Sequence, residues 1–237
     1  MFHDLSRRRP ALEEMDKPDI DPEALEGALR ALVRINAVGN GVSLFWPSIR
    51  ALLAERGGAA PLRVLDVGCG GGDLSRRLET RARREGFSVQ VDGCDINPVA
   101  VAMARRENSR AGCNGSFFVC DAVFGEIPMQ YDVVVSSLFL HHLGDNDAVR
   151  ALRNLRSCTR HLLLVSDLMR SRFGLFLVYL ATRTLTRSPV VHQDGVTSLR
   201  AAHTIPEVRA LLGRAGLQGA TLTRRWPERF VAAWRPR

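Results

Sequence analysis

Residues 62–73 read LRVLDVGCGGGD, and this stretch decides the fold. In its first half, Val64, Leu65 and Val67 form a short apolar run with β-branched residues, as expected of a strand that is buried on both faces. Glycines follow at positions 68, 70, 71 and 72, and residues 74–84 then favour a helix. Such a strand, turn and helix form a corner where a ligand can lie against backbone N–H groups at the helix N-terminus. The stretch therefore predicts a nucleotide-binding corner in an α/β domain.

The spacing of these glycines indicates which ligand the corner binds. A dinucleotide fingerprint needs a third Gly or Ala five residues after the first, but that position holds Asp73. The Gly-Lys-Ser/Thr ending of a P-loop does not follow either. Asp66 places a second carboxylate just before the turn. We therefore expect a ligand with a cationic amino group and a sulfonium rather than one with a pyrophosphate.

The run DVGCGGG at residues 66–72 resembles the first motif of class I S-adenosylmethionine-dependent methyltransferases. Residues 95–98, Asp-Ile-Asn-Pro, resemble the second motif of that family and follow the next predicted strand. A carboxylate at this strand tip can accept hydrogen bonds from both hydroxyls of a ribose. A structural glycine turn and a solvated aspartate are the alternatives, but the two motifs arrive in the order that the family requires.

The resemblance implies S-adenosylmethionine as the cofactor and assigns residues to it. It implies that Ile96 packs on the adenine ring, that Asp121 accepts from the adenine amino group, and that the small Ala122 lets the ring lie flat. The residues predicted to bind the cofactor are Asp66, Gly68, Gly70, Asp95, Ile96, Asp121, Ala122 and Ser137.

The order of the predicted elements favours an α/β fold with a doubly wound, mostly parallel sheet. Strands and helices alternate through the middle of the chain, and a terminal hairpin at 217–225 and 229–234 then makes one strand antiparallel. The resemblance implies the seven-stranded, Rossmann-like methyltransferase sheet, which has this hairpin. Two predicted helices, Ala24–Ala37 and Val42–Arg56, precede the first strand and form an N-terminal helical cover.

We expect two parts in the chain. Residues 1–58 would form an N-terminal arm, loose over residues 1–20, and the covering helices, which Gly39-Asn40-Gly41 separates. Residues 59–237 would form the methyltransferase core. Within the core, residues at about 167–203 are not needed by the sheet and predict a lid that binds the methyl acceptor.

Polar side chains after the fourth and fifth strands are the candidate catalytic groups. His141 and His142 follow the fourth strand, and Asp167 follows the fifth. Ligands of open α/β sheets bind at this carboxyl edge, and a histidine can remove the proton of a hydroxyl acceptor. We favour His141 slightly over His142 as the base, oriented by Asp167, while a purely structural role for both histidines stays open. No metal is expected, because the Asp-Asn pair of metal-dependent catechol enzymes is absent after the fifth strand.

The insertion is strongly apolar between residues 173 and 180, which indicates an apolar pocket for the acceptor. The residues predicted to bind the acceptor are Phe173, Phe176, Tyr179 and His192.

Composition excludes several classes of protein. The 237 residues suit one larger α/β domain, and no apolar run reaches the ~18–20 residues of a membrane span. The N-terminal MFHDLSRRRP lacks the apolar region of a signal peptide, and five cysteines without a C-x-x-C pair favour neither disulfides nor zinc. We therefore expect a cytoplasmic protein. The net charge of +8 does not by itself predict a nucleic-acid partner, because the arginine clusters lie on predicted outer helices.

These patterns predict methyl transfer from S-adenosylmethionine to a hydroxyl of an aromatic or polyketide-like small molecule. The histidine pair and the acid after the fifth strand resemble the small-molecule branch of the family, which acts on secondary metabolites or quinone precursors. Methylation of a quinone-precursor ring carbon is the close alternative. An RNA methyltransferase and a cofactor-binding partner protein without turnover stay open as well, as does a peripheral contact with a membrane.

Overall fold

The computed structural model describes residues 4–17, 19–38, 41–57 and 60–236. The predicted Gly39-Asn40 break and the predicted boundary after residue 58 lie outside the described residues.

A single mixed sheet organises the described part of the chain. Its strands are β1 (Leu62–Val67), β2 (Val89–Asp95), β3 (Phe117–Val119), β4 (Tyr131–Ser137), β5 (Thr159–Leu168), β6 (Thr221–Arg225) and β7 (Arg229–Trp234). They are ordered β3-β2-β1-β4-β5-β7-β6 across the sheet. The strand order reverses beside β1, which is the switch point where ligands of such sheets bind.

The helices in the described residues lie on both faces of this sheet. They are α1 (Pro22–Val38), α2 (Gly41–Arg56), α3 (Asp73–Arg84), α4 (Pro98–Arg110), α5 (Asp145–Ser157), α6 (Arg172–Leu185), α7 (Pro189–Ala201) and α8 (Ile205–Arg214). Strand β7 runs antiparallel to both β5 and β6, while β1 to β5 pair in parallel. The predicted doubly wound, seven-stranded fold with an antiparallel strand in its terminal hairpin is confirmed.

Strand β1 carries apolar side chains on both of its faces, because both faces are buried. Leu65 and Val67 belong to the core cluster with α5 and α8, whereas Leu62 and Val64 belong to the cluster with α2 and α3. Side chains of successive strand residues point to opposite faces, so a central parallel strand needs apolar residues on both. This explains why the run before the glycine turn identified the fold.

The two helices before β1 have different positions. Helix α1 packs against α4, α6 and α7 on the side of the ligand-binding edge. Helix α2 packs against α3, β4 and β5 and belongs to the helix layer of the opposite face. Only α1 therefore lies where a covering helix was predicted.

The segment after β5, predicted as a lid, is a pair of helices, α6 and α7. Helices α6 and α7 cross closely at Gly195, where a Cβ atom would lie 2.8 Å from Cγ2 of Thr182. Strand β5 extends through Leu168, because its last residues pair with β7, so Asp167 lies within the strand rather than just beyond it. No helix in the described ranges is long and apolar enough to cross a membrane.

Candidate active site

A cavity of about 340 Å³ lies at the carboxyl ends of β1, β2 and β4, under α1. The residues predicted to bind the cofactor all line it: Asp66, Gly68, Gly70, Asp95, Ile96, Asp121, Ala122 and Ser137. Their role in binding stays a prediction, but the fold brings them together around one space. Leu25, Leu29 and Val33 of α1 close the cavity from above.

The glycine turn after β1 needs residues without a Cβ atom. Gly68 and Gly70 have φ angles of 71° and 50°, in the left-handed region that favours glycine. A Cβ atom on Gly68 would lie 2.9 Å from Cδ2 of Phe139. The turn therefore keeps its backbone at the cavity wall, where a side chain would fill the space.

Two of the strand-tip carboxylates are held in place by backbone N–H groups. Asp95 accepts a hydrogen bond from Gly70 N (2.8 Å) through Oδ2 and one from Asn97 N (2.9 Å) through Oδ1. Asp121 accepts from the backbone N–H groups of Val123 and Phe124 through Oδ1 alone. Since an ionised carboxylate has about four acceptor sites, both side chains keep capacity for a ligand.

The cavity is strongly electronegative. Five carboxylates line it, from Asp16, Asp66, Asp73, Asp95 and Asp121, and its lining within the described residues contains no arginine or lysine. Burial, opposed only in part by a hydrogen bond from the Ser75 hydroxyl, raises the pKa of Asp66 to about 7. Burial also raises the pKa of Asp95. A ligand with a sulfonium and an ammonium group relieves this accumulation of negative charge, so the cavity fits S-adenosylmethionine better than a dinucleotide.

The two candidate histidines follow β4 in a 3₁₀ turn, Leu140–His142, and interact with different carboxylates. The Nδ1 atom of His141 lies 2.7 Å from Oδ1 of Asp167, and this pair is buried. The Nδ1 atom of His142 lies 2.6 Å from Oδ2 of Asp16. The His142 side chain keeps 24% of its surface exposed. The predicted His141–Asp167 pair therefore forms, and His142 has a second acidic partner that the sequence did not suggest.

The environment of His141 favours its protonated form. Burial disfavours the imidazolium, but the charge of Asp167 and hydrogen bonds with Asp167 and Glu13 outweigh it and raise the pKa of His141 to about 10. Burial likewise opposes ionisation of Asp167, yet the charge and hydrogen bond of His141 lower the pKa of Asp167 to about 2. At neutral pH the pair is an imidazolium and a carboxylate, and a protonated ring cannot remove a proton.

Three residues of the N-terminal arm, predicted to be loose, contact the turn that carries the histidines: Arg8, Glu13 and Asp16. The Arg8 guanidinium donates hydrogen bonds to the carbonyls of Ala201, His141 and Leu143. Glu13 is 4% exposed, and its Oε1 accepts from Ser198 Oγ and lies 3.5 Å from His141 Nε2. The arm thus adds Glu13 and Asp16 to the site. The acidic run Glu13-Glu14 and Asp16 was visible in the sequence, but nothing in a single sequence links it to His141 and His142.

Glu13, His141 and His142 also have the spacing of a metal site. One ligand atom from each lies within 4.8 Å of the other two. The Nδ1 atoms of the two rings already contact Asp167 and Asp16, so the described cluster is a network of ion pairs and hydrogen bonds. The expected absence of a metal stays a prediction.

A second cavity, of about 220 Å³, adjoins the first. Apolar residues of α6 and α7 form most of its wall, and Glu13, His141 and Arg229 contribute polar groups. Leu138 and His142 line both cavities. His142 therefore lies where a ligand in one cavity meets a ligand in the other.

The structure corrects the placement of the residues predicted to bind the acceptor. Phe173, Phe176 and Tyr179 are 48%, 59% and 51% exposed and lie on the outer face of α6. Their neighbours Leu177 and Val178 line the second cavity instead. Residues 173–180 of α6 are apolar on every side of the helix, so hydrophobicity alone could not identify its inner face. His192 does not line the cavity either, because its Nε2 atom contacts the Thr186 carbonyl at 2.9 Å.

Comparison of this sequence with known proteins finds methyltransferases. A family model described as a methyltransferase domain matches residues 64–161. The ubiquinone biosynthesis O-methyltransferase of Pseudomonas fluorescens is 34% identical over 108 residues, which cover 45% of this chain and 42% of that protein. The chain thus matches less than half the length of the curated relatives.

Solved structures share the fold at low sequence identity. The magnesium protoporphyrin IX methyltransferase from Synechocystis, with SAH bound, superposes with a TM-score of 0.57 at 19% identity, covering 93% of this chain and 90% of that one. Human N-acetylserotonin methyltransferase in complex with SAM gives 0.55 at 18% identity, covering 73% and 46%.

Proposed function

We propose that this chain is an S-adenosylmethionine-dependent methyltransferase that methylates a hydroxyl of an aromatic or polyketide-like small molecule. The match of residues 64–161 to a methyltransferase domain and the methyltransferases among its relatives and structural neighbours support this proposal. The predicted fold is confirmed. The match to a methyltransferase domain and the neighbours crystallised with SAM or SAH support the predicted class and methyl donor. The acceptor, O-methylation and the cytoplasmic location belong to the proposal. The name of the curated relatives supports O-methylation over methylation of a ring carbon.

The position of His142 between the two cavities is the observation that carries the proposal. The first cavity holds the predicted cofactor residues, and the second is mainly apolar. An apolar acceptor in the second cavity would present its hydroxyl at the shared wall. S-adenosylmethionine supplies an electrophilic methyl group on a sulfonium, and the chain has to align the hydroxyl with it and remove a proton.

We assign the proton transfer to His142 rather than to His141. His142 borders both cavities, and Asp16 lies 2.6 Å from its Nδ1 atom, which fixes the ring and leaves Nε2 for the acceptor hydroxyl. His141 holds its proton between Asp167 and Glu13. We propose that His141 and Asp167 form a charged pair that positions the turn carrying His142. Asp167 also accepts a hydrogen bond from the backbone N–H of His141.

Product formation tests the proposed function. The purified protein, incubated with S-adenosylmethionine and a panel of phenols, polyphenols and quinone precursors, should yield O-methylated products that mass spectrometry identifies. Methylation only at ring carbons would support the alternative reaction. Cofactor binding without any product, across a panel that includes transfer RNA, would contradict the enzyme assignment.

Removing the Asp95 carboxylate is expected to weaken cofactor binding. Asp95→Ala loses the charged acceptor for the ribose hydroxyls and the hydrogen bond that holds Gly70 N. Such bonds are worth about 1.5–3 kcal/mol, or about 10- to 150-fold in Kd. Calorimetric titration with S-adenosylhomocysteine measures the change. Asp95→Asn keeps one acceptor oxygen, so its Kd should lie between those of the natural protein and Asp95→Ala. Asp147→Ala on α5 is the control. Unchanged affinity in Asp95→Ala would remove Asp95 from the cofactor site.

Shortening a side chain on the inner face of α6 is expected to change acceptor binding alone. Leu177→Ala removes apolar contacts from the second cavity and should raise the KM for the acceptor by about 10- to 100-fold. Thr184→Ala is the matched control, because Thr184 is exposed on the same helix and lines neither cavity. Steady-state kinetics at saturating cofactor compare the two. Equal KM values would mean that the acceptor binds elsewhere.

A further inference from the structure

The outer face of α6 carries an exposed apolar surface. Phe173, Phe176, Tyr179 and Leu180 recur at helical spacing and are each about half exposed. Trp226, in the β6–β7 hairpin, is 73% exposed, and its ring centroid lies 5.9 Å from that of Phe173. We call these five residues the aromatic patch. They are half of the large exposed hydrophobic side chains found in the described residues, so the patch is not the usual scatter of single apolar residues.

Four arginines lie close to the aromatic patch in the sequence, and one of them contacts it. Arg172 precedes Phe173 at the start of α6, and the Arg183 guanidinium lies 3.6 Å from the centre of the Tyr179 ring. Arg187 follows the helix, and Arg225 precedes Trp226 in the hairpin. Within the described part of the chain, none of these four guanidinium groups has a carboxylate partner. Helix α6 itself contains no acidic residue.

We propose that the aromatic patch and these arginines bind the surface of a lipid bilayer that carries anionic headgroups. Aromatic side chains flanked by arginines are typical of helices that lie in the membrane interface. The apolar rings enter the headgroup region, while the guanidinium groups meet the phosphates at its edge. A second copy of the chain fits less well, because a symmetric contact through this face would bring like-charged arginines together.

The same helix forms a wall of the second cavity. Leu177, Val178 and Ala181 face inward, one helix thickness from the aromatic patch, and Pro227 next to Trp226 also lines that cavity. A protein resting on a bilayer through this face would hold its acceptor cavity beside the lipid. This consequence, that the acceptor is an apolar molecule taken from the membrane, rests on the proposed function. The lipid binding itself does not.

Vesicle co-sedimentation tests the proposal with the intact protein. We compare vesicles of phosphatidylcholine alone with vesicles that contain about 30 mol% phosphatidylglycerol. The protein is expected to sediment with the anionic vesicles, at least about tenfold more strongly than with neutral ones, and high salt should weaken the binding. No binding to anionic vesicles would overturn the proposal.

Two pairs of variants assign the binding to this face. Phe176→Ser/Trp226→Ser and Arg172→Gln/Arg187→Gln are each expected to lower binding to anionic vesicles by about tenfold or more. Phe124→Ser is the control for the first pair, since Phe124 is 67% exposed elsewhere and lies beside Arg150. Arg84→Gln/Arg209→Gln, on α3 and α8, is the control for the second.

The controls also expose the competing explanations. If the controls weaken binding as much as the patch variants do, the contact is only the general attraction of a basic protein, and the proposal fails. Light scattering tests whether a second copy of the chain covers the aromatic patch instead. If the protein is a dimer that does not bind vesicles, and Phe176→Ser/Trp226→Ser converts it to a monomer, the patch is a dimer contact and the proposal fails. Circular dichroism and affinity for S-adenosylhomocysteine confirm that the variants are folded.

Discussion

His142→Ala is expected to lower the single-turnover rate of methyl transfer by about two to four decades while cofactor affinity stays unchanged. His142 lines both cavities and is the histidine whose ring lies at their shared wall. A hydroxyl must lose its proton as the new bond forms, and a positioned base contributes about this factor. Rapid-quench kinetics with a phenol acceptor would measure the effect.

The pH dependence separates the two histidines. A base must be neutral before it accepts a proton, so the rate of the natural protein should fall on acidification. The defect of His142→Ala should shrink towards about pH 10, where a phenol acceptor ionises without help. Burial opposes protonation of His141, but Asp167 and Glu13 outweigh it and raise the pKa of His141 to about 10. If His141 were the base, the rate would therefore keep rising up to about pH 10, and His142→Ala would leave that rise unchanged.

A matched histidine controls for the substitution itself. His161 also lies near an aspartate, with its Nε2 atom 3.7 Å from Oδ1 of Asp132. It lines neither of the two cavities. His161→Ala should leave the rate within a few-fold of the natural protein. If His142→Ala behaves the same way at neutral pH, alignment of the reactants alone carries catalysis and the assignment of the base fails.

The cofactor cavity could be predicted from the sequence because its residues follow strand ends at fixed places. A buried strand and its glycine turn have a strong local pattern. Asp95 is the last residue of β2, and Asp121 lies two residues after the end of β3. Parallel strands bring their carboxyl ends to one edge, so order along the chain was enough to predict that these side chains meet. All eight predicted residues line one cavity for this reason.

The acceptor side could not be predicted in the same way. Glu13 and Asp16 reach the histidines from more than a hundred positions away, through the anchoring of Arg8, and no local pattern encodes such a contact. Helix α6 is apolar on its inner and outer faces, so its sequence does not distinguish Leu177 in the cavity from Phe176 at the surface. The preference for His141 as the base stays a prediction, although Asp167 and Glu13 favour the protonated form of this buried ring, and the contact with Glu13 could not be predicted from the sequence.

Asp167→Asn is expected to lower the free energy of unfolding by about 3–5 kcal/mol. The variant leaves His141 buried, with only 4% of its side chain exposed, and without the carboxylate 2.7 Å from its Nδ1 atom. Both groups of the pair are removed from water, so losing one partner leaves an uncompensated polar or charged group. Urea denaturation with a linear extrapolation measures the loss.

The pH dependence of this loss follows from the two shifted pKa values. The raised pKa of His141 gives stability that is complete below the ordinary histidine range and is lost as pH rises through about 10. The lowered pKa of Asp167 gives stability that is complete above the ordinary carboxyl range and is lost as pH falls through about 2. The difference between natural protein and variant should therefore be largest near pH 5–6 and should shrink as pH rises towards about 10.

A double-mutant cycle with His141→Gln isolates the pair from the other contacts of each residue. The coupling between Asp167→Asn and His141→Gln should exceed about 1 kcal/mol at pH 6 and should decrease at pH 9. Asp132→Asn is the comparison for a less buried ion pair, because its partners Arg56 and His161 have side chains that are 31% and 49% exposed. A loss for Asp167→Asn no larger than that for Asp132→Asn, and equal at both pH values, would mean that His141 is neutral in the folded protein. His141 would then again be available as the base, and the assignment of His142 would rest on its position alone.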